Sequence, residues 1–151
     1  MNSNFEPQQV FNPPLEITLE LISRAVAGET TDRRFYRYLL NAAPNEKERA
    51  IISGIREDEL RHYELFRQIY RDITGRNPVP LGDDEFEEPE NYLAGIEEAK
   101  LGEIETAAKY RQIYYGLRTR EHRDKLFEII TDELRHADLY DYLYTRNFLN
   151  F

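Results

Sequence analysis

Apolar side chains recur at steps of three and four along four long stretches of the chain, the spacing of a single helix face. Pro13 and Pro14 open the first stretch, in which Leu15, Leu19, Ile22, Val26, Tyr36 and Leu40 carry the stripe to about Ala43. Pro44 and Asn45 break and cap the chain before the second, marked by Ile52, Ile55, Phe66, Ile69 and Ile73 and ending near Gly75. The third begins near Glu90 with Leu93, Ile96, Tyr110, Tyr114 and Leu117. The fourth follows near Glu121 with Leu126, Ile130, Tyr140, Leu143 and Tyr144. Between the second and third, residues 76–89 hold three Pro and a Gly beside an acidic run, which is loop chemistry.

The pattern predicts an all-α fold, one four-helix bundle over residues 14–151, with residues 1–13 as an N-terminal extension. The first two helices are joined by a few residues, as are the last two, so each pair must run antiparallel. A fourteen-residue loop reaches ~48 Å when extended, enough to travel back along a helix of ~42 Å. The second and third helices are therefore expected to lie parallel, linked by one long crossover.

Each apolar stripe is interrupted by charge. Where the first helix calls for apolar residues it carries Glu29 and Arg33; the second carries Glu59 and His62, the third Lys100 and Glu103, the fourth Glu133 and His136. Every helix thus turns one Glu towards the core. Buried carboxylates are costly unless paired, protonated or bound to a cation. Two divalent metal ions would neutralise four Glu, with two neutral imidazoles completing the cluster. The Glu-x-x-His spacing sets both side chains of a helix on one face at i and i+3. Two plainer readings stand beside this one: solvated faces of charged helices, or a polar core that holds no metal.

The chain also repeats itself around these positions. Asp58-Glu59-Leu60-Arg61-His62 recurs letter for letter as Asp132-Glu133-Leu134-Arg135-His136, and the same offset carries Gly28-Glu29 onto Gly102-Glu103 and Tyr36 onto Tyr110. Tyr36 and Tyr110 follow Glu29 and Glu103 on the same helix face. There a phenol can hydrogen-bond a carboxylate or quench an oxidising species; the conservative reading is a core aromatic.

Composition narrows the partners. The formal net charge is −9, and no Lys/Arg cluster stands free of neighbouring acids, which argues against nucleic acid and anionic membrane surfaces and favours metal cations. No apolar run approaches the ~20 residues of a membrane span, and the opening stretch lacks a signal-peptide pattern, so a cytoplasmic protein is expected. With no Cys, disulfides, thiolate zinc and iron–sulfur centres are excluded within this sequence. Any metal must be held by His and carboxylates.

With these residues in view, the chain resembles the ferritin-like superfamily of di-iron carboxylate proteins and, within it, rubrerythrin-type proteins, over nearly its whole length. The resemblance implies a ferritin-like bundle holding two iron ions, with manganese or a mixed pair as alternatives. Glu29 and Glu103 match the lone ligands of the first and third helices. Glu59, His62, Glu133 and His136 match the paired ligands of the second and fourth. The fuller Asp-Glu-x-Arg-His pattern is also similar to that of bacterial di-iron hydroxylases, in which the Asp supports a ligand His; Asp58 and Asp132 take that role or are plain exposed acids. Two departures stand out. Thr106 occupies the place of a further Glu used by rubrerythrin peroxidases, leaving Asp32, its counterpart on the first helix, as an extra ligand or a surface acid. The Cys-rich rubredoxin domain common in that family is not in this sequence, so a separate electron-donor protein is expected.

The resemblance implies an oxidoreductase whose di-iron(II) centre reacts with hydrogen peroxide or dioxygen, as a peroxidase or a ferroxidase. The alternatives are an iron storage or handling protein, and a structural, for example spore-associated, bundle with a vestigial site. The aromatic residues between Leu139 and Phe151 exceed what one stripe needs and point to a homodimer or larger homo-oligomer. Arg33, Lys100, Arg61 and Arg135 are read as structural ion-pair partners, and His122, outside the pattern, as exposed.

Overall fold

A computed structural model of the chain describes residues 12–82 and 85–149. The helices are α1 (Leu15–Ala27), α2 (Glu29–Ala42), α3 (Glu46–Thr74), α4 (Tyr92–Gly116) and α5 (Arg120–Phe148), with no strand among the described residues. They form the four-helix bundle expected from the pattern, with α1 and α2 as successive halves of its first rod. Most of the N-terminal extension, residues 1–11, lies outside the described residues.

The first rod is not the continuous helix that its periodicity suggests. At Gly28 the N–H reaches back three residues to the carbonyl of Ala25 at 3.3 Å instead of four, so the helix tightens and restarts at Glu29. Glycine costs about 1 kcal/mol in a helix interior relative to alanine, which makes this the weak point of the rod. The other boundaries follow side-chain chemistry. Asn45, Asn91 and Thr119 accept hydrogen bonds from the backbone N–H groups of Glu48, Ala94 and His122, capping α3, α4 and α5. Gly75, at φ 72°, closes α3 in the left-handed conformation that favours glycine.

Neighbouring rods run antiparallel. The end of α4 meets the start of α1 at Gly116 and Thr18, Lys100 near the start of α4 pairs with Asp141 near the end of α5 at 2.6 Å, and His122 at the start of α5 meets Asp72 at the end of α3. It follows that α3 and α4 are parallel. The crossover joining them lies along the first rod: the Leu81 N–H donates to the Ser23 carbonyl at 3.1 Å, Gly82 lies beside Ala27, and Pro89 packs near Gly95.

The core falls into two apolar clusters at opposite ends of the bundle. One gathers Leu39, Ile52, Ile55, Ile96, Tyr140 and Leu143; the other gathers Ile22, Phe66, Ile69, Ile113, Leu126 and Ile129. Burying each of these side chains contributes roughly 1.5–3 kcal/mol. Between the two clusters lies a layer of buried Glu and His. Glu48, which the stripe pattern does not single out, is buried at the end where α4 begins. Its carboxylate accepts from Asn45 at 3.2 Å, Tyr92 at 2.8 Å and Asn147 at 2.9 Å, tying the starts of α3 and α4 to the end of α5.

Three expectations are corrected. Arg33 is exposed and Lys100 turns outward to Asp141, because a long cationic side chain on the flank of a stripe can reach solvent or a surface acid. His122 is buried, its Nε2 held 3.2 Å from Asp72. A Cβ on Gly116 would lie 1.8 Å from the Thr18 hydroxyl, whereas Gly54, exposed in the middle of α3, has nothing within 4 Å. Gly116→Ala is therefore expected to cost about 1–3 kcal/mol in denaturant unfolding, and Gly54→Ala to be neutral or to stabilise by up to about 1 kcal/mol.

Candidate metal centre

Steps of three along α3 and α5 bring Glu59 and His62, and Glu133 and His136, onto the inner faces of the two helices, and α4 adds Glu103. All five are buried. Ligand atoms of Glu59, Glu103, Glu133 and His136 lie within 4.8 Å of one another. His62 joins them, its Nδ1 being 3.0 Å from Glu133 Oε1, while His136 Nδ1 is 3.1 Å from Glu59 Oε1. The two rings face each other with centroids 5.9 Å apart.

Each imidazole is braced from the opposite motif. His62 Nε2 lies 3.0 Å from Asp132 Oδ2, and His136 Nε2 lies 3.0 Å from Asp58 Oδ2. An Nε2–H donated to a carboxylate leaves the Nδ1 lone pair facing the cluster, the tautomer a metal ligand needs. The arginines close the loop from outside: Arg61 pairs with Asp132 at 2.8 Å and Arg135 with Asp58 at 2.6 Å. The doubled pentapeptide is thus a reciprocal brace, in which each Asp holds the other helix's His and is held in turn by the other helix's Arg. Asp58 and Asp132 are not plain exposed acids.

Glu59 Oε1, Glu133 Oε1, His62 Nδ1 and His136 Nδ1 are buried and have no hydrogen-bond partner among the described residues. The carboxylate and imidazole atoms approach to about 3 Å, yet their lone pairs are not aligned on one another's protons. Ligands about 2.1 Å from a six-coordinate metal ion sit about 3 Å apart, so these spacings suit a shared cation. The donor set is one that could hold metal.

The electrostatics agree. Burial alone would raise Glu59, but His136 and His62 pull it down to about 2. Burial would lower His62, yet contacts with Glu133, Glu59 and Asp132 hold it up at about 10. His136 is raised in the same way against its burial by Glu59 and Asp58. Glu103 is pushed well up by burial and by the charges of Glu133 and Glu59, although His136 Nδ1 stands 3.9 Å from its Oε1. The cluster demands positive charge, and with only protons to supply it the imidazoles take them up.

Glu29 is not brought into this group. Its carboxylate pairs with the guanidinium of Arg67 on α3. Asp32, one turn further along α2, instead lines the same cavity as Glu59, Glu103 and Glu133, and accepts a hydrogen bond from the buried Tyr63 hydroxyl. Tyr36 and Tyr110 line that cavity too. Burial raises both phenols far above their usual range, helped by Tyr140 and then carboxylates at Tyr36 and by carboxylates at Tyr110, and keeps them neutral hydrogen-bond donors. The sequence reading missed Tyr63 and Tyr140. Tyr140 falls on the stripe as an ordinary core position, and only its packing beside Tyr36 reveals it.

In metal-stripped protein, Glu103→Gln is expected to raise stability by on the order of 1–3 kcal/mol, because it removes a buried carboxylate facing two others. Thermal and denaturant unfolding measure it; a loss of stability would show that the carboxylates are not in conflict.

The rubrerythrin family model matches residues 20–144, a span that contains every residue of this cluster. An uncharacterized protein of Bacillus subtilis, YhjR, is 27% identical over 137 residues, covering 91% of this chain and 93% of its own length. Among solved structures, a hypothetical protein from Pyrococcus furiosus superposes with a TM-score of 0.70 at 20% identity, over 87% of this chain and 94% of that one, a likeness of fold.

Proposed function

Because this chain belongs to the rubrerythrin family, we propose that it is a non-haem di-iron oxidoreductase whose cluster holds two iron ions, with manganese as the alternative, and reacts with hydrogen peroxide or dioxygen. The observation that supports this most directly is the set of four buried, unpartnered ligand atoms on Glu59, His62, Glu133 and His136. Carboxylate and imidazole donors suit iron and manganese. Two iron(II) ions supply two electrons, the number that reduces one hydrogen peroxide to two waters with two protons.

The protein's own part is to hold, orient and neutralise. Glu59 and Glu133, each between the two imidazoles, are the bridging candidates; Glu103 is the terminal carboxylate of α4. Glu29 would complete the set by leaving Arg67 for a metal ion. That exchange is inexpensive, since a partly exposed ion pair contributes about 0–1 kcal/mol and a buried dication attracts a carboxylate far more strongly. Asp58 and Asp132 keep the imidazoles oriented. Tyr36 and Tyr110 offer neutral hydroxyl protons at the cavity wall, and a separate electron-donor protein would supply the reducing electrons. No helix among the described residues is long and apolar enough to cross a membrane.

Anaerobic loading with Fe(II) followed by elemental analysis is expected to find about two metal ions per chain, lost in the Glu59→Ala/Glu133→Ala double variant. Metal-free protein after loading would remove this reading and leave a structural bundle. Asp58→Asn and Asp132→Asn should each weaken metal affinity about 10–100-fold while the fold persists. Glu29→Gln should lose affinity, and Arg67→Ala should not, in the same titration; equal retention by both would exclude Glu29 from the set.

A further inference from the structure

Among the described residues, the buried cluster borders a cavity whose wall carries acids from mouth to floor. The cavity, of about 450 Å³, is roofed by Glu85 and Glu87 of the crossover and by Glu98 of α4, all exposed. Half-buried Asp32 and Thr106 stand below them, and the buried Glu59, Glu103 and Glu133 form the floor. Seven carboxylates line it, and no Lys, Arg or His does, among the described residues. The floor is not merely acidic: the buried Glu59 and Glu133 line it, and each keeps a carboxylate oxygen, Oε1, that has no hydrogen-bond partner among the described residues.

A second approach to Glu59 is far smaller and mixed in charge, with Glu29, Asp32 and Glu59 facing two arginines. Between α2 and α3 a gap of about 10 Å³, the room of a single water, is flanked by Arg33 and Arg56. Arg34 and Arg37 are also kept out of the shaft: they line a separate cavity on the far side of Phe86. Among the described residues, cationic side chains thus border both of these openings but not the shaft.

We propose that the acidic shaft is the loading route for hydrated divalent cations, with Glu85, Glu87 and Glu98 capturing the ion at the mouth and passing it to the cluster by way of Asp32. The proposal rests on reading the cluster as a metal site and adds how the ion arrives. A low-dielectric cleft lined by one sign of charge concentrates ions of the opposite sign and raises their association rate by about 10–10³-fold, an effect that falls with ionic strength. The same field repels anions, so substrates beyond the metal are cations or small neutral molecules such as hydrogen peroxide and dioxygen, not organic acids or phosphates.

The test uses Co(II) and the full-length metal-free protein, with uptake followed by quenching of tyrosine emission in stopped flow and the end point by elemental analysis. In the Glu85→Gln/Glu87→Gln/Glu98→Gln variant, loading at low ionic strength should slow at least tenfold and lose most of its salt dependence, while still reaching two ions per chain. A charge-matched control, Glu105→Gln/Glu121→Gln/Asp124→Asn, removes exposed acids elsewhere and should load at close to the wild-type rate. Wild-type loading by the shaft variant, or equal slowing in the control, overturns the route: the first denies the shaft a role, and the second assigns the effect to net charge alone. Failure of the wild-type protein to bind Co(II) at all would instead sink the metal reading on which the route depends.

Discussion

Three glutamates and two histidines share one layer at the centre of the bundle, and the rest of the structure is arranged around the electrostatic cost of burying them. In a dry interior neither unpaired carboxylates nor unpaired imidazolium ions are tolerable, so the layer must be neutralised from within. Without a metal it does so by protonation: His62 and His136 are raised, Glu59 is lowered, and Glu103 is pushed well up towards its neutral form. A pair of dications would replace those protons and satisfy the four unpartnered atoms together.

The fold supports this layer from both ends. Two apolar clusters clamp it, and Glu48 ties three helix ends together beyond one of them. The internal repeat gives the layer an approximate two-fold symmetry that is functional in detail. Asp58 braces His136 and Asp132 braces His62, so neither pentapeptide orients its histidine alone. Duplicating a helix hairpin and docking the copies antiparallel creates this cross-bracing, and the long crossover is what lets the second copy lie in that orientation. The symmetry breaks at Asp32 and Thr106, which occupy equivalent places, and that asymmetry leaves one acid inside the shaft where the other half offers a hydroxyl.

The helices and their parallel-crossover arrangement were legible because the apolar stripes are long and the punctuation at Pro44, Asn45, Gly75 and the 76–89 loop is strong. The five clustered residues were legible because they are charges on apolar stripes, a conflict visible in one dimension. What stripes cannot show is where a flanking side chain turns. Arg33 and Lys100 share the stripe but escape outward, Glu29 is claimed by Arg67, and His122 is buried by an Asp72 fifty residues away. The interruption at Gly28 is equally hidden, since a glycine in helical conformation leaves the periodicity intact. The acidic shaft depends on the crossover folding against α2 and α4, a tertiary event with no local signature.

The central claim is that the buried layer is a two-metal site. The most direct measurement is anomalous diffraction at the iron or manganese edge from crystals of anaerobically loaded protein. The account predicts two peaks about 3.5–4 Å apart, bounded by Glu59, His62, Glu103, Glu133 and His136. A single peak at the exposed acids of the surface, or none in the layer, would contradict it.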